Sequence, residues 1–239
     1  MKVSVLTRIA GGLGLAAVMA SAGSASADGP IVDLMVNGVS SSLLGDATAA
    51  TNVYNYSGSL TDTSWQLGYD FNASNQADMQ TSFISGNFLV VNTSASAQDF
   101  EIVLTLPVLV TGSKMTVYGG SVAGSIVGDS DGGTFSTIGS FPVWAAASNG
   151  VAIADLLTAP ISVSTNPFQT ALIGSAAFGE PIPSAPGPNL AENLSITLRF
   201  NLGAGDSAAF TSILVAQVPA PGACALLGVA GLVARRRRR

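Results

Sequence analysis

The chain has 239 residues, no histidine and one cysteine, and its formal net charge at pH 7 is −5. The missing histidine excludes Ser-His-Asp and Cys-His catalytic arrangements and removes the commonest protein ligand of zinc and copper. With Cys224 as the only cysteine, no intramolecular disulfide can form.

The N-terminal segment has the three parts of a secretory signal peptide. Two basic residues precede an apolar stretch over 9–20, and Ala25-Ser26-Ala27 supplies the small-x-small pattern that signal peptidase cuts. The apolar stretch is short and no charged stop follows it, which argues against a retained membrane helix. The sequence therefore predicts a signal peptide over 1–27, removed between Ala27 and Asp28.

Alternating apolar and polar residues predict β-strands along the body of the chain. The alternation is nearly perfect over 194–202, where the apolar side chains fall on one face. Closeness in sequence predicts two hairpins, one joining 83–92 to 100–106 and one joining 194–202 to 210–218. The other predicted strands are 31–36, 64–71, 114–118, 121–127, 134–138 and 151–153.

Helical composition is confined to two short stretches, 148–157 and 170–178, and neither is strongly periodic. Gly119-Gly120 and Gly132-Gly133 are interpreted as turn glycines, because neither pair is followed by the lysine and helix of a phosphate-binding loop. The segment 180–189 contains four prolines and is predicted to be an extended surface loop.

These patterns together predict the fold class. Several short strands at near-regular spacing, separated by small polar residues, are typical of an antiparallel β-sandwich. Residues 28–217 are enough for one sizeable hydrophobic core. The sequence predicts one all-β domain over 28–217, a sandwich of jelly-roll or immunoglobulin-like type.

The segment Asp129-Ser130-Asp131-Gly132-Gly133 is the best candidate for a metal site. Two carboxylates spaced by one residue before a glycine turn resemble the beginning of a calcium loop, in which oxygen ligands converge. No acidic residue follows at the distance of the EF-hand glutamate, so Asp129 and Asp131 would need Asp155 or Asp99 from another loop. A plain solvated turn explains the same residues.

Two further features bear on carbohydrate chemistry. Asp99 and Glu101 share one strand face, as the paired carboxylates of a glycosidase would, but a solvated face explains them as well. Aromatic side chains stack on sugars and equally well on a core, and Trp65 and Tyr69 alternate as core residues do. The candidates for a sugar-binding platform are Tyr54, Tyr56, Trp65, Tyr69, Tyr118 and Trp144.

The C-terminal tail combines a proline-rich break, a short apolar segment over 223–234 and five arginines. As a helix, residues 222–234 would rise roughly 20 Å, against about 30 Å of bilayer hydrocarbon, which suits a temporary anchor. Arginine runs are also typical of patches that bind nucleic acid, and short apolar segments are also typical of buried helices. The positive-inside rule would keep the arginines cytoplasmic. They are Arg235, Arg236, Arg237, Arg238 and Arg239.

In this order, at the end of an exported chain, the three parts over 218–239 resemble the PEP-CTERM sorting domain. Ala220 stands where the motif that names this domain has its glutamate. The resemblance implies recognition by an exosortase-type transpeptidase of Gram-negative envelopes, transient anchoring in the inner membrane, and a setting of exopolysaccharide production. The motif residues would be Val218, Pro219, Ala220, Pro221 and Gly222.

Loss of both ends would leave an acidic domain. Only Lys114 and Arg199 lie within 28–217, against all fourteen acidic residues, so this part carries a net charge of −12. Such a surface repels nucleic acid, and we expect no nucleic-acid partner. The sequence favours a non-enzymatic protein of the cell surface, outer envelope or extracellular matrix, with a structural or exopolysaccharide-associated role. The alternative is a carbohydrate-binding or calcium-dependent adhesion module.

Overall fold

A computed structural model describes residues 29–76, 81–108, 115–190 and 192–219. These residues form β-strands and loops, and none of their elements is a helix that could cross a membrane. The strands, in chain order, are β1 Val32–Val36, β2 Val39–Leu43, β3 Asp46–Ala47, β4 Val53–Thr61, β5 Trp65–Gln76, β6 Thr81–Asn92, β7 Gln98–Pro107, β8 Thr116–Val127, β9 Gly133–Ser136, β10 Trp144–Ser148, β11 Val151–Leu156, β12 Ser162–Thr165, β13 Thr170–Phe178, β14 Ala185–Gly187, β15 Asn193–Leu202 and β16 Ser207–Gln217.

The strands form two antiparallel sheets that pack face to face, so the predicted all-β antiparallel sandwich is confirmed. The first sheet has the order β11-β10-β15-β7-β1-β2, and β9 pairs with both β15 and β12. The second sheet has the order β13-β8-β16-β6-β5-β4-β3, and β14 pairs with β8. The long strands β15 and β16 therefore each lie in the interior of a sheet.

The core lies between the sheets, where the alternation of each strand points its apolar residues inward. Along β15 every second residue from Leu194 to Leu202 is buried, as the sequence pattern predicts. The Phe200 ring lies 5.5 Å from Phe100 and 5.3 Å from Phe135, and 5.1 Å from Phe210 of the opposite sheet. This aromatic cluster connects the two sheets across the core.

The two predicted hairpins are wrong, because each pair of strands is divided between the sheets. Asn92, at the end of β6, is fully buried, and its Nδ2 donates to the carbonyls of Leu202 (3.0 Å) and Gly203 (2.8 Å). It thereby joins the β6–β7 connection to the β15–β16 connection. A hairpin would leave both apolar faces on one side of a single sheet, whereas a connection between sheets lets the two faces cover one another.

The helical composition of 148–157 does not produce a helix, because residues 148–156 form the turn and the second strand of the β10–β11 hairpin, and the strand predicted over 151–153 is confirmed. Asn149 and Gly150 adopt φ values of 49° and 74° between the two strands. An Asn-Gly pair with positive φ at both positions is a strong hairpin signal, because such a turn matches the twist of the flanking strands. Local turn chemistry therefore outweighs the helical composition of the alanines around it.

The helical composition of 170–178 does not produce a helix either. This segment is β13, which pairs with β8 at the edge of the second sheet and bulges between Leu172 and Gly174. Gly119-Gly120 lies within β8 and not in a turn, so the strands predicted over 114–118 and 121–127 are one strand. A Cβ on Gly120 would lie 2.6 Å from the Ile213 carbonyl oxygen, so glycine allows a close approach here.

Candidate functional site

The Asp129–Gly133 segment joins β8 to β9 and closes a tight turn. The Asp129 N–H donates to the Gly132 carbonyl (3.2 Å), and the Asp131 N–H donates to Asp129 Oδ1 (3.0 Å). A hydrogen bond between the two carboxyl groups lowers the pKa of Asp129 and raises the pKa of Asp131. The two candidate calcium ligands thus lie within reach of one another, an arrangement that a shared proton or a shared cation can bridge.

The third carboxylate beside this turn belongs to Asp206. Asp206 is only 2% exposed, and its Oδ1 accepts the Asp129 N–H (3.2 Å) while its Oδ2 accepts the Thr134 N–H (2.8 Å). Both oxygens therefore anchor the β8–β9 connection to the β15–β16 turn, and the charge of Asp206 adds to the raised pKa of Asp131. The open groove here, of about 350 Å³, is lined by Asp131, Thr134, Asp206 and their neighbours.

Neither residue suggested to complete the calcium site lies at this groove. Asp99 lines a different groove, and Asp155 lies on β11 opposite Ala145. Across the four described ranges, no three acidic, cysteine or histidine side chains are grouped so that they could hold a metal ion. A calcium ion held by Asp129 and Asp131 would therefore need backbone carbonyls and water as further ligands.

Most of the aromatic residues proposed as a sugar platform belong to the core. Trp65 and Tyr56 are 4% and 1% exposed, and Tyr118 and Trp144 are fully buried. Tyr54 and Tyr69 are partly buried and pack against the core. These six residues do not form an exposed platform, so a sugar site, if present, must use other side chains.

A second groove, of about 490 Å³, lies at one end of the outer face of the first sheet. We call it the Arg199 groove, because Arg199 contacts both Glu101 and Phe141 in its lining. Within it, Glu101 of β7 lies directly opposite Arg199 of β15, and the Glu101 Oε1 accepts from Arg199 Nε (3.0 Å) and Nη2 (2.5 Å). The residues that line it are Asn37, Asp99, Phe100, Glu101, Ile138, Phe141 and Arg199.

The turn between β9 and β10 brings an aromatic ring over this ion pair. The Phe141 N–H donates to the Ile138 carbonyl (3.1 Å), and the Arg199 N–H donates to the Val143 carbonyl (2.9 Å), which attaches the turn to β15. The guanidinium carbon of Arg199 then lies 5.1 Å from the centre of the Phe141 ring, while the Phe141 side chain is 50% exposed. Such a cation–π contact fixes the orientation of both side chains.

Two amides bond the acidic residues of the Arg199 groove, and one of them, Asn37, also lines it. Asn37, in the β1–β2 turn, accepts the Glu101 N–H at its Oδ1 (2.8 Å). Asn201 lies opposite Asp99 and donates from Nδ2 to Asp99 Oδ1 (2.7 Å). Asp99 and Glu101 thus share an outward face, as the strand pattern predicts, and each is paired across the strand with a polar partner.

Sequence reasoning missed Asn37, Phe141 and Arg199 as members of one site. Arg199 was visible as a charged residue on the outward face of a strongly alternating strand, and the Asn37-Gly38 pair was visible as a turn signal. The pairing of β15 with β7, and of β7 with β1, brings Asn37 and Arg199 together, and the attachment of the β9–β10 turn to β15 adds Phe141.

The structure describes the start of the predicted sorting motif. β16 ends at Gln217, and Val218 beyond it is 4% exposed. Pro219 follows Val218 within the described chain and is partly buried, whereas the remaining predicted processing residues lie outside the described residues. They are Ala27, Asp28, Ala220, Pro221, Gly222, Arg235, Arg236, Arg237, Arg238 and Arg239.

Comparison with known proteins found a weak structural similarity and no match in sequence. No protein-family model matches the chain, and no curated protein matches it. One similar solved structure is that of TmCBM61 in complex with beta-1,4-galactotriose, at 10% identity and a TM-score of 0.25. The match covers 64% of this chain and 88% of the other. At this TM-score the ligand of this chain has to be argued from its own residues.

Proposed function

We propose that this protein is an exported, non-enzymatic component of the cell surface, outer envelope or extracellular matrix, associated with exopolysaccharide. In this proposal, signal peptidase removes residues 1–27, and an exosortase-type enzyme processes the tail while it is held in the inner membrane. The sandwich, which we propose is of jelly-roll or immunoglobulin-like type, is the part that is delivered.

The observation that carries the proposal is where the domain ends relative to the motif. β16 lies between β6 and β8, and its backbone pairs with both neighbours as far as Gln217. The proline-containing motif starts at the next residue. Cleavage within 219–222 would therefore remove no described strand, which is what a disposable tail requires.

The outward carboxylates support a role other than hydrolysis. A glycosidase needs one carboxyl group held protonated and a second held as a carboxylate beside the scissile bond. Here Glu101 forms an ion pair with Arg199, and Asp99 accepts a hydrogen bond from Asn201. These pairings give each carboxylate a structural partner on its own sheet.

The alternative, a carbohydrate-binding or calcium-dependent adhesion module, is favoured by a specific observation. The Arg199 groove presents a half-exposed ring beside hydrogen-bonding groups of both kinds. Binding of this kind is compatible with a surface or matrix protein. The calcium-dependent form rests on Asp129 and Asp131, and its test is given with the other predictions.

The processing step can be tested in the native host with two variants of the full chain. Replacing all five terminal arginines by alanine removes the charge, whereas replacing them by lysine keeps it. We expect the alanine variant to accumulate as the longer, unprocessed form, and the lysine variant to be processed as the wild type is. Gel mobility after cell fractionation reports both. Equal processing of the alanine variant would contradict the proposal.

A further inference from the structure

The Arg199 groove is built by four separate parts of the chain, and each is held in place. The β1–β2 turn contributes Asn37, β7 contributes Asp99 and Glu101, β15 contributes Arg199, and the turn before β10 contributes Phe141. Two hydrogen bonds join Asn37 to the Glu101 backbone. The Glu101 N–H donates to Asn37 Oδ1, and the Asn37 N–H donates to the Glu101 carbonyl (2.9 Å). Binding groups fixed in this way lose little side-chain entropy when a ligand arrives.

The groove retains unused hydrogen-bonding capacity. Arg199 has five N–H donors, and its bonds to Glu101 come from Nε and Nη2 alone. Among the described residues, neither Asn37 Nδ2 nor Asp99 Oδ2 has a hydrogen-bond partner. Donors and acceptors therefore lie side by side, within the reach of adjacent hydroxyl groups that each donate and accept.

The ring supplies the second half of the recognition. Phe141 is half exposed in spite of its contact with Arg199, so part of its apolar surface remains open to the groove. A sugar ring has C–H groups on one face and hydroxyl groups around its edge. An aromatic ring beside fixed polar groups matches both features.

The charges of the groove select among ligands. Asp99 and Glu101 outnumber Arg199, whose charge is already paired with Glu101, so an anionic ligand such as a uronic acid would be repelled. A cationic ligand would be attracted by the charge of Asp99 but would meet the Arg199 guanidinium beside the Phe141 ring. A neutral ligand rich in hydroxyl groups meets no like charge in the groove, and a groove of about 490 Å³ is within the usual size of small-ligand sites.

We propose that the Arg199 groove binds neutral saccharide, with Phe141 stacking on a sugar ring and Asp99, Asn37 and Arg199 bonding its hydroxyl groups. This proposal names the class of ligand for the proposed exopolysaccharide-associated role. It rests on that role only for where the protein would meet the saccharide. Binding in solution does not depend on tail processing, so one can fail without the other.

The test uses the full chain purified in mild detergent and an array of neutral, uronic-acid and amino-sugar oligosaccharides. We expect selective binding of one or more neutral oligosaccharides, followed by a Kd from titration calorimetry for the strongest. Binding of no oligosaccharide, or only of the charged ones, would overturn the proposal.

Two variants locate the site, each with a matched control elsewhere on the surface. Phe141→Ala is expected to raise the Kd about tenfold or more. Phe168→Ala, which removes a 73% exposed ring outside the groove, is expected to raise the Kd by less than about twofold. Asp99→Asn, which keeps the oxygen bonded to Asn201, is expected to raise the Kd about fivefold or more. Asp155→Asn is expected to raise the Kd by less than about twofold. If Phe141→Ala does not fold, Asp99→Asn decides alone. Unchanged affinity in a folded groove variant would overturn the assignment.

Discussion

The hydrogen bond between Trp144 and Ser212 provides a sharp test of how the two sheets are joined. Trp144 lies on β10 of the first sheet and is fully buried, and its Nε1 donates to the Oγ of Ser212 on β16 of the second sheet (2.7 Å). Ser212 is itself only 2% exposed. The bond therefore crosses the core, out of reach of the solvent that could replace either partner.

The expected cost follows from what each substitution leaves behind. Ser212→Ala leaves a buried indole N–H without an acceptor, which costs about 1–3 kcal/mol. Trp144→Phe removes the N–H but leaves a cavity and an unpaired hydroxyl, for a cost of about 2–4 kcal/mol. The double variant has no stranded N–H, so it should cost less than the sum of the two, with a coupling energy of about 1 kcal/mol.

Urea unfolding followed by far-UV circular dichroism measures all three variants without relying on the removed fluorophore. Ser207→Ala is the matched control, because Ser207 is on the same strand and lies on the outward side, and it should change the free energy of unfolding by less than about 0.5 kcal/mol. Additive costs in the double variant would refute the interpretation that this bond joins the sheets.

Three further predictions concern packing and titration. Gly86→Ala would bring a Cβ into collision with the Phe71 Cβ and should lower the free energy of unfolding by about 3 kcal/mol or more. Gly68→Ala, whose nearest contact would be 3.9 Å, should be tolerated, and equal urea midpoints for the two variants would contradict this. The pKa of Asp131 is raised in the folded state, so its negative charge lowers stability at any pH above its pKa in the unfolded chain. In EGTA, Asp131→Asn should therefore raise the Tm at pH 7 and leave the Tm unchanged below about pH 3. If the turn holds calcium, calcium will raise the Tm of the wild type and not of the variant, and no wild-type shift would contradict the calcium prediction. Burial raises the pKa of Tyr56 to about 12, so the wild type should lose about 2 kcal/mol as the pH rises from about 10 through 12. Tyr56→Phe should flatten that loss in alkaline urea titrations, and an unchanged slope would contradict the assignment.

The fold class can be predicted because the alternation of apolar and polar residues along each strand depends only on neighbouring residues. The pattern of Leu194, Ile196 and Leu198 indicates a half-buried strand wherever that strand lies. It does not indicate which strand is its neighbour, and sequence proximity led to hairpins where the chain crosses between sheets. The buried amide of Asn92 makes that crossing stable, and it bonds residues more than a hundred positions away.

The candidate site is further from prediction, because its members are scattered along the chain. Asn37 and Arg199 meet only after β1, β7 and β15 pair in register, and Phe141 joins them only after the β9–β10 turn attaches to β15. The aromatic residues that the sequence favoured for sugar binding, Trp65 and Trp144 among them, are those most useful to a core. Composition alone cannot separate these two uses of a ring, whereas burial does.

The most direct test of the proposed role is the intact mass of the protein isolated from its native envelope. Processing at both ends predicts a chain that begins at Asp28 and ends within 218–222, with any added mass identifying the acceptor at the new C-terminus. A protein that still carries the five terminal arginines in its surface-delivered form would contradict the account.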